Sequence, residues 1–278
     1  MTLPRPPLEC SLTNYWNIFF SSHLIPPVTY TTTSWWHEEF TSVNFSDEEK
    51  AGRFISALLI RPEFAQREIK SLWIGGNVCI TTTTEILRLC QGITKLALWT
   101  TPTYVPADSR ALLKLLDTLS LKQLSFAFSL IHGGVSSEFP SLPSISLFNK
   151  VTHLELLEGW VLWSSCMGIH SLPQLTHLSL RASTKRTDPR LLRGILELPD
   201  MRAMVLRVTE DRFIVEKWLY NNGTEDRRVV LVHEIAQEAR GSPHSTLWKY
   251  ADGIVQWRTQ NAANPYDVPG NQQLLAVY

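Results

Sequence analysis

The chain has 278 residues, 44% of them hydrophobic and 19% charged, with 26 basic side chains balanced by 26 acidic ones. That composition suits a globular protein with a large core, and zero net charge excludes a global attraction to nucleic acid or an anionic membrane. The four cysteines, at 10, 79, 90 and 166, form no C-x-x-C pair and no dense framework, so reduced, intracellular thiols are expected.

Residues 1–39 open with three prolines in the first seven positions, then turn aromatic, and read as an irregular segment. They hold no continuous apolar stretch of the secretory kind, and Tyr15–Phe20 is too short to span a bilayer. A cytoplasmic or nuclear address is the expectation.

From residue 40 onward an apolar-x-x-apolar-x-apolar phrase recurs eight times, centred on 43, 72, 96, 124, 154, 178, 204 and 230, in steps of 24 to 30 residues. Period and phrase are those of a leucine-rich repeat. Between the copies lie helix signals. Ser46-Asp47-Glu48-Glu49 reads as a capping box ahead of Ala51, Phe54, Ile55 and Leu58, with Pro62 as a stop. Thr82 and Glu85 read as a second box, ahead of Ile86, Leu89 and Cys90 and closed by Gly92. Asp108 is the expected cap of a third helix.

Pro140, Pro143 and Pro173 disfavour α-helix before the fifth and sixth strands and favour 3₁₀ turns. Asp188-Pro189 caps a further helix, another begins at Thr209 and stops at Asn221-Asn222-Gly223, and the last runs from Pro243 to Thr259. Strands alternating with helices, without hairpin turns, predict parallel strands joined by crossovers. The expected fold is an α/β leucine-rich-repeat-like solenoid over 40–259, strands concave and helices and 3₁₀ turns convex, with 260–278 a loose tail.

Residues 40–75, FTSVNFSDEEKAGRFISALLIRPEFAQREIKSLWIG, resemble the start of the repeat region of fungal F-box proteins. VTHLEL (151–156) and LPQLTHLSL (172–180) are similar to its later repeats, and ARGSPHSTLWKYADGIVQW (239–257) to its closing helix. The resemblance spans roughly residues 38–259. It implies a substrate-recognition module and a Skp-type adaptor as partner. The F-box opens on leucine-proline-x-glutamate, whereas here Leu3-Pro4 precedes Arg5-Pro6-Pro7. Residues 1–39 also lack a three-helix pattern, so ligase assembly is not implied by this segment.

No phosphate loop, dinucleotide fingerprint, H-E-x-x-H or G-x-S-x-G phrase is present, so no catalytic residue, cofactor or metal is assigned. Alternation of strand side chains places three columns on the concave face. One reads Ser71, Lys95, Gln123, His153, His177, Ala203. The next reads Asn44, Trp73, Ala97, Ser125, Glu155, Ser179, Val205, and the third contains Trp99, Leu157, Arg181 and Arg207.

Trp73 and Trp99 are the leading partner-binding candidates, since outward aromatics mark interface hot spots; a loop or the N-terminal segment folded over them is the alternative. His153, Glu155, His177, Arg181 and Arg207 complete the candidate surface. Two histidines and a carboxylate are zinc ligand types, but a tetrahedral site needs converging side chains, so a solvated polar patch is expected. Arg181, Lys185, Arg186, Arg190 and Arg193 form the densest basic run, read as a solvated loop. The reading is a protein-binding module that is not an enzyme. A ligase receptor, a stand-alone binder or decayed paralogue, and an enzyme with a scattered site are its three variants.

Overall fold

The structure is a computed structural model and describes residues 42–100, 106–132, 141–159, 167–234, 243–261 and 264–269. The chain divides into two units, Met1–Trp36 and His37–Tyr278, and every described residue lies in the second. The expectations for residues 1–39, Phe40, Cys10, Cys166 and Pro140 fall outside the described residues.

Eight strands form one sheet in sequential order, every neighbouring pair parallel. They are β1 (Ser42–Phe45), β2 (Ser71–Gly76), β3 (Lys95–Thr100), β4 (Gln123–Phe126), β5 (His153–Gly159), β6 (His177–Arg181), β7 (Ala203–Val208) and β8 (Val229–His233). The crossovers hold α1 (Glu48–Ile60), α2 (Pro62–Arg67), α3 (Ile80–Leu89), α4 (Pro106–Thr118), α5 (Ser129–His132), α6 (Pro189–Leu196) and α7 (Arg212–Asn221). As the prolines predict, 3₁₀ turns at Leu142–Ser144, Ser146–Asn149 and Ile169–Ser171 take the place of long helices around β5.

The recurring phrase supplies the main core. Leu72, Leu96, Leu124, Leu154, Leu178 and Met204 face one another in register, and each is buried against the crossovers. Removing such a leucine from water contributes about 1.5–3 kcal/mol. The last copy was a residue out of phase: Val229 and Leu231 pair with Met204 and Leu206 and enter this core, while Val230 and Val232 face the other way. VVLVH is apolar on both faces, so its alternation carries no phase information.

A second repeating device joins the strands. The carbonyl preceding each of five strands, at Lys70, Thr94, Lys122, Thr152 and Thr176, accepts two successive N–H groups from the next repeat, at 2.7–3.2 Å. The hydroxyls of Thr152 and Thr176 add a bond to the same rung, each 3.0 Å from the preceding carbonyl. Gly92 sits where the turn before β3 touches its neighbour: a Cβ there would lie 1.8 Å from the Gln66 carbonyl oxygen.

Several caps move by a few residues. Asp47, not Ser46, caps α1 by accepting from Lys50 N at 3.0 Å. Cys79, not Thr82, caps α3. Glu48 instead accepts from Cys79 N at 2.7 Å and from the Thr82 hydroxyl, tying α1 to α3. Helix α4 starts at Pro106 ahead of Asp108, and Asp211 rather than Thr209 caps α7. Asp188 caps α6 as predicted, accepting from Arg190 N at 2.9 Å. Cys90 is fully buried, and burial pushes its thiol up to about 12.

The largest departure is the last helix, α8 (Pro243–Asn261), which does not join the crossovers. Its Trp248, Ala251 and Ile254 pack on Ala203, Val205, Val230 and Val232, the apolar end of the opposite sheet face. That face needs a cover because β7 and β8 present valine and alanine on it. Residues after α8 are also more than a loose tail: Tyr266 is buried, its hydroxyl 3.2 Å from the Thr224 carbonyl, and the Asp267 carbonyl accepts from Arg258 Nε at 2.7 Å. Among the described residues no helix is long and apolar enough to cross a membrane.

Candidate functional site

The second face of the sheet carries all seven candidate residues; the first two columns keep the register that alternation predicts, whereas in the third Arg181 pairs with Gly159 and not with Leu157. His153 pairs with His177, Glu155 with Ser179, and Arg181 with Arg207. Exposure then divides them. Trp99 is 6% exposed, Glu155 2%, His177 4% and Arg207 0%. These four are interior groups, a correction to the expected open patch. Trp73 and His153 are half-buried and Arg181 is exposed.

The buried members form a polar relay across the strands. Trp99 Nε1 donates to Ser125 Oγ at 2.8 Å, and Ser125 Oγ donates onward to Glu155 Oε2 at 2.7 Å. Arg207 Nη1 lies 3.8 Å from Glu155 Oε1 and 3.6 Å from Glu234 Oε1. Arg181 closes the series, its Nε 2.6 Å from Glu234 Oε2. Two guanidinium groups alternate with two carboxylates, so the buried charge cancels locally. Such a network contributes little net stability, but removing one member strands the other in a medium that cannot solvate it.

Local backbone makes room for this relay. Between Glu155 and Gly159, β5 falls out of register with β6, a bulge. Within that stretch the Leu156 carbonyl accepts from Arg207 Nη2. Alternation along β7 sends Arg207 to the face opposite Leu206, where it is fully buried.

Trp73 and Trp99 meet edge to face, ring centroids 5.8 Å apart. With Ala97, Leu157 and Ala127 they make a small apolar cluster separate from the main core. Gly75, in register with Trp99, leaves room for the contact: a Cβ there would lie 3.1 Å from Trp73 Cζ2. Trp99 spends its N–H on Ser125, whereas Trp73 Nε1, buried as an atom, has no hydrogen-bond acceptor among the described residues.

His153 and His177 stack in parallel, centroids 4.0 Å apart and planes within 4°. Trp248 of α8 meets both edge-on, at 5.4 and 5.8 Å. His177 Nε2 lies 2.8 Å from Asp252 Oδ1, also on α8. Parallel rings do not converge on one point, and among the described residues no group of three metal-ligating side chains is assembled. The histidines are thus partly covered, not the solvated patch expected.

Sequence reasoning missed Trp248, Asp252 and Glu234. The first two lie four residues apart on one helix, and only the two-faced apolar character of β8 could have shown that the helix would be needed there. The basic run also divides: Arg181 engages Glu234 and Arg190 engages Asp188, while Lys185, Arg186 and Arg193 are exposed.

No family model matches the chain, and no curated protein is significantly similar to it.

Proposed function

We propose that the chain is a protein-interaction module, a leucine-rich-repeat-like solenoid of the kind that recognises substrates in fungal F-box proteins. It acts without cofactor and without catalysis, in the cytoplasm or nucleus. The sequential parallel sheet, with crossovers on one face and strand side chains on the other, supports the solenoid reading. One observation carries the functional part. The part of the second face that holds Trp73, Lys95 and Gln123 leaves a half-buried indole partly reachable beside the half-buried Lys95 and Gln123. A partly reachable aromatic among polar side chains is the kind of group that anchors a partner.

In this reading Trp73, His153 and Arg181 touch the partner. Trp99, Glu155, His177 and Arg207 hold the face in shape beneath them. A Trp99 substitution therefore confounds binding with folding, and Trp73→Ala is the informative change. The test is affinity purification of tagged protein from its native cells, comparing wild type, Trp73→Ala and the helix-side control Lys217→Ala. Partners retained by wild type and Lys217→Ala but lost with Trp73→Ala are expected. Recovery of a Skp-type adaptor and a cullin identifies a ligase receptor, and other partners identify a stand-alone binder. An identical partner set in all three proteins overturns the assignment of this face.

A further inference from the structure

The crossover side of the sheet carries an exposed surface of its own, at α6 and α7. Among the described residues, the large apolar side chains that stand more than half exposed are Leu59 and Ile60 of α1 and Phe213, Ile214 and Tyr220 of α7. The α7 set forms an outward stripe. Phe213 and Tyr220 are two helical turns apart, with Lys217 between them. Val215 and Leu219, on the inward side, already supply the packing of this helix against the main core. Phe213 is 71% exposed, Ile214 55% and Tyr220 64%, so these side chains project from the helix and do not line a groove.

A basic row runs alongside. Lys185 and Arg186 are exposed in the turn before α6, and Arg190 and Arg193 are exposed on α6 itself. Contacts at both ends hold α6 beside α7. At the front, Glu210, next to the cap Asp211, accepts from the Ser183 hydroxyl at 3.0 Å and from Thr184 N at 3.1 Å. At the back, Arg228 Nη2 donates to the Leu196 carbonyl at 2.7 Å. A Cβ on Gly223 would lie 3.9 Å from Arg193 Nη1, which puts that guanidinium at the end of α7 that carries Tyr220. Cations and apolar side chains therefore share one surface.

The acids around it are mostly engaged. Asp188 pairs with Arg190 at 3.3 Å, Glu216 with Arg212 at 2.6 Å, and Asp211 accepts from Phe213 N at 2.8 Å. Glu197 offsets part of the charge from beyond the end of α6. Lys185, Arg186, Arg193 and Lys217 make up the local positive surplus, within a chain whose total charge is balanced. A second copy is a poor occupant, because pairing like with like would set these cations against one another. A docked peptide helix needs a groove for its apolar face. A lipid surface needs none: projecting apolar side chains enter the headgroup boundary, and cations are drawn to anionic headgroups.

We propose that the outer surface of α6 and α7 seats the protein on an anionic bilayer. Phe213, Ile214 and Tyr220 enter the boundary between headgroups and acyl chains, and Lys185, Arg186 and Arg193 lie over the lipid phosphates. The contact is peripheral and uses the side of the sheet opposite to Trp73. It goes beyond the partner-binding reading and does not rest on it.

Co-sedimentation of the full chain with vesicles of phosphatidylcholine alone, or with about 30% phosphatidylserine added, tests this. Each cation near an anionic surface strengthens binding about fivefold, so the anionic vesicles should bind at least about tenfold more tightly than the neutral ones. Arg186→Glu/Arg193→Glu should weaken that binding by more than about 25-fold on the same scale. Phe213→Ala/Ile214→Ala should weaken it by about tenfold or more through lost apolar burial. All four side chains are exposed, so both variants should keep the wild-type melting temperature. Absence of binding to anionic vesicles overturns the proposal, as does equal binding to both compositions or binding that survives the charge reversal. Binding that needs the arginines and ignores Phe213 and Ile214 marks a polyanion such as a nucleic acid as the occupant, and overturns the bilayer.

Discussion

The two faces of the sheet are held in opposite ways. Against the crossovers, one apolar position is repeated from strand to strand, and Leu72, Leu96, Leu124, Leu154 and Leu178 are near-interchangeable members of a column. On the second face no residue substitutes for another: Trp99 needs Ser125, Glu155 needs Arg207, and His177 needs Asp252. Repetition gives the first face its strength through number. Single pairings give the second face its order, and there one substitution has a local, readable effect.

The sharpest way to break this contrast is to charge the repeated column. Leu154→Asp buries a carboxylate among leucines and should cost more than about 4 kcal/mol, enough to unfold the domain. Wild-type circular dichroism and melting temperature in that variant would falsify the register. Next in size is Arg207→Leu, which leaves Glu155 and Glu234 without their shared cation; about 3–5 kcal/mol is expected from urea denaturation. A loss below about 1 kcal/mol would show that the relay is not a coupled unit.

Thr152→Val keeps the shape of a rung and deletes its hydroxyl, so a cost of about 1 kcal/mol is expected, measured by thermal melting. The smallest effect concerns acid. Burial alone would raise the Glu48 carboxyl, but hydrogen bonds from Thr82 and Cys79 outweigh it and hold the group below its usual range. A carboxyl depressed on folding contributes stability above its unfolded value, and that stability is lost as pH falls through the folded value. Glu48→Gln should therefore flatten the decline in melting temperature below about pH 4.5, the region of ordinary carboxyl titration, while leaving neutral behaviour nearly unchanged.

Much of the sheet was legible because its signal is periodic. Strand number, parallel pairing and the columns from Ser71 to Ala203 follow from phrase spacing and alternation alone. The phase of β8 was illegible because Val229 to Val232 are apolar without interruption, and the course of α8 was illegible for the same reason: nothing local says which sheet face a terminal helix covers. Caps were misplaced by a few residues because Ser46 and Asp47, or Cys79 and Thr82, offer competing acceptors within one turn. Alternation placed the candidate residues on the second face, yet the β5 bulge that shifts the third column was illegible, and burial of Trp99, Glu155, His177 and Arg207 was not signalled by the local pattern. The threonine shared by ITKLAL, VTHLEL and LTHLSL was not singled out in the sequence, because its meaning as a rung lies in the hydrogen bonds.

Those rungs link each repeat only to its neighbours, and such a stack ordinarily comes apart from either end. Helix α8 crosses several strands at once, touching β5 and β6 through Trp248 and β8 through Arg258. It therefore acts as a splint along the carboxyl half, where no single strand can peel away while the helix stays seated. At the other edge β1 has one neighbour among the described strands, and its inward-facing Val43 is only half-buried. A chain stretched between its ends should yield first at β1 and unzip towards β5, with the splinted half giving way last and in one step.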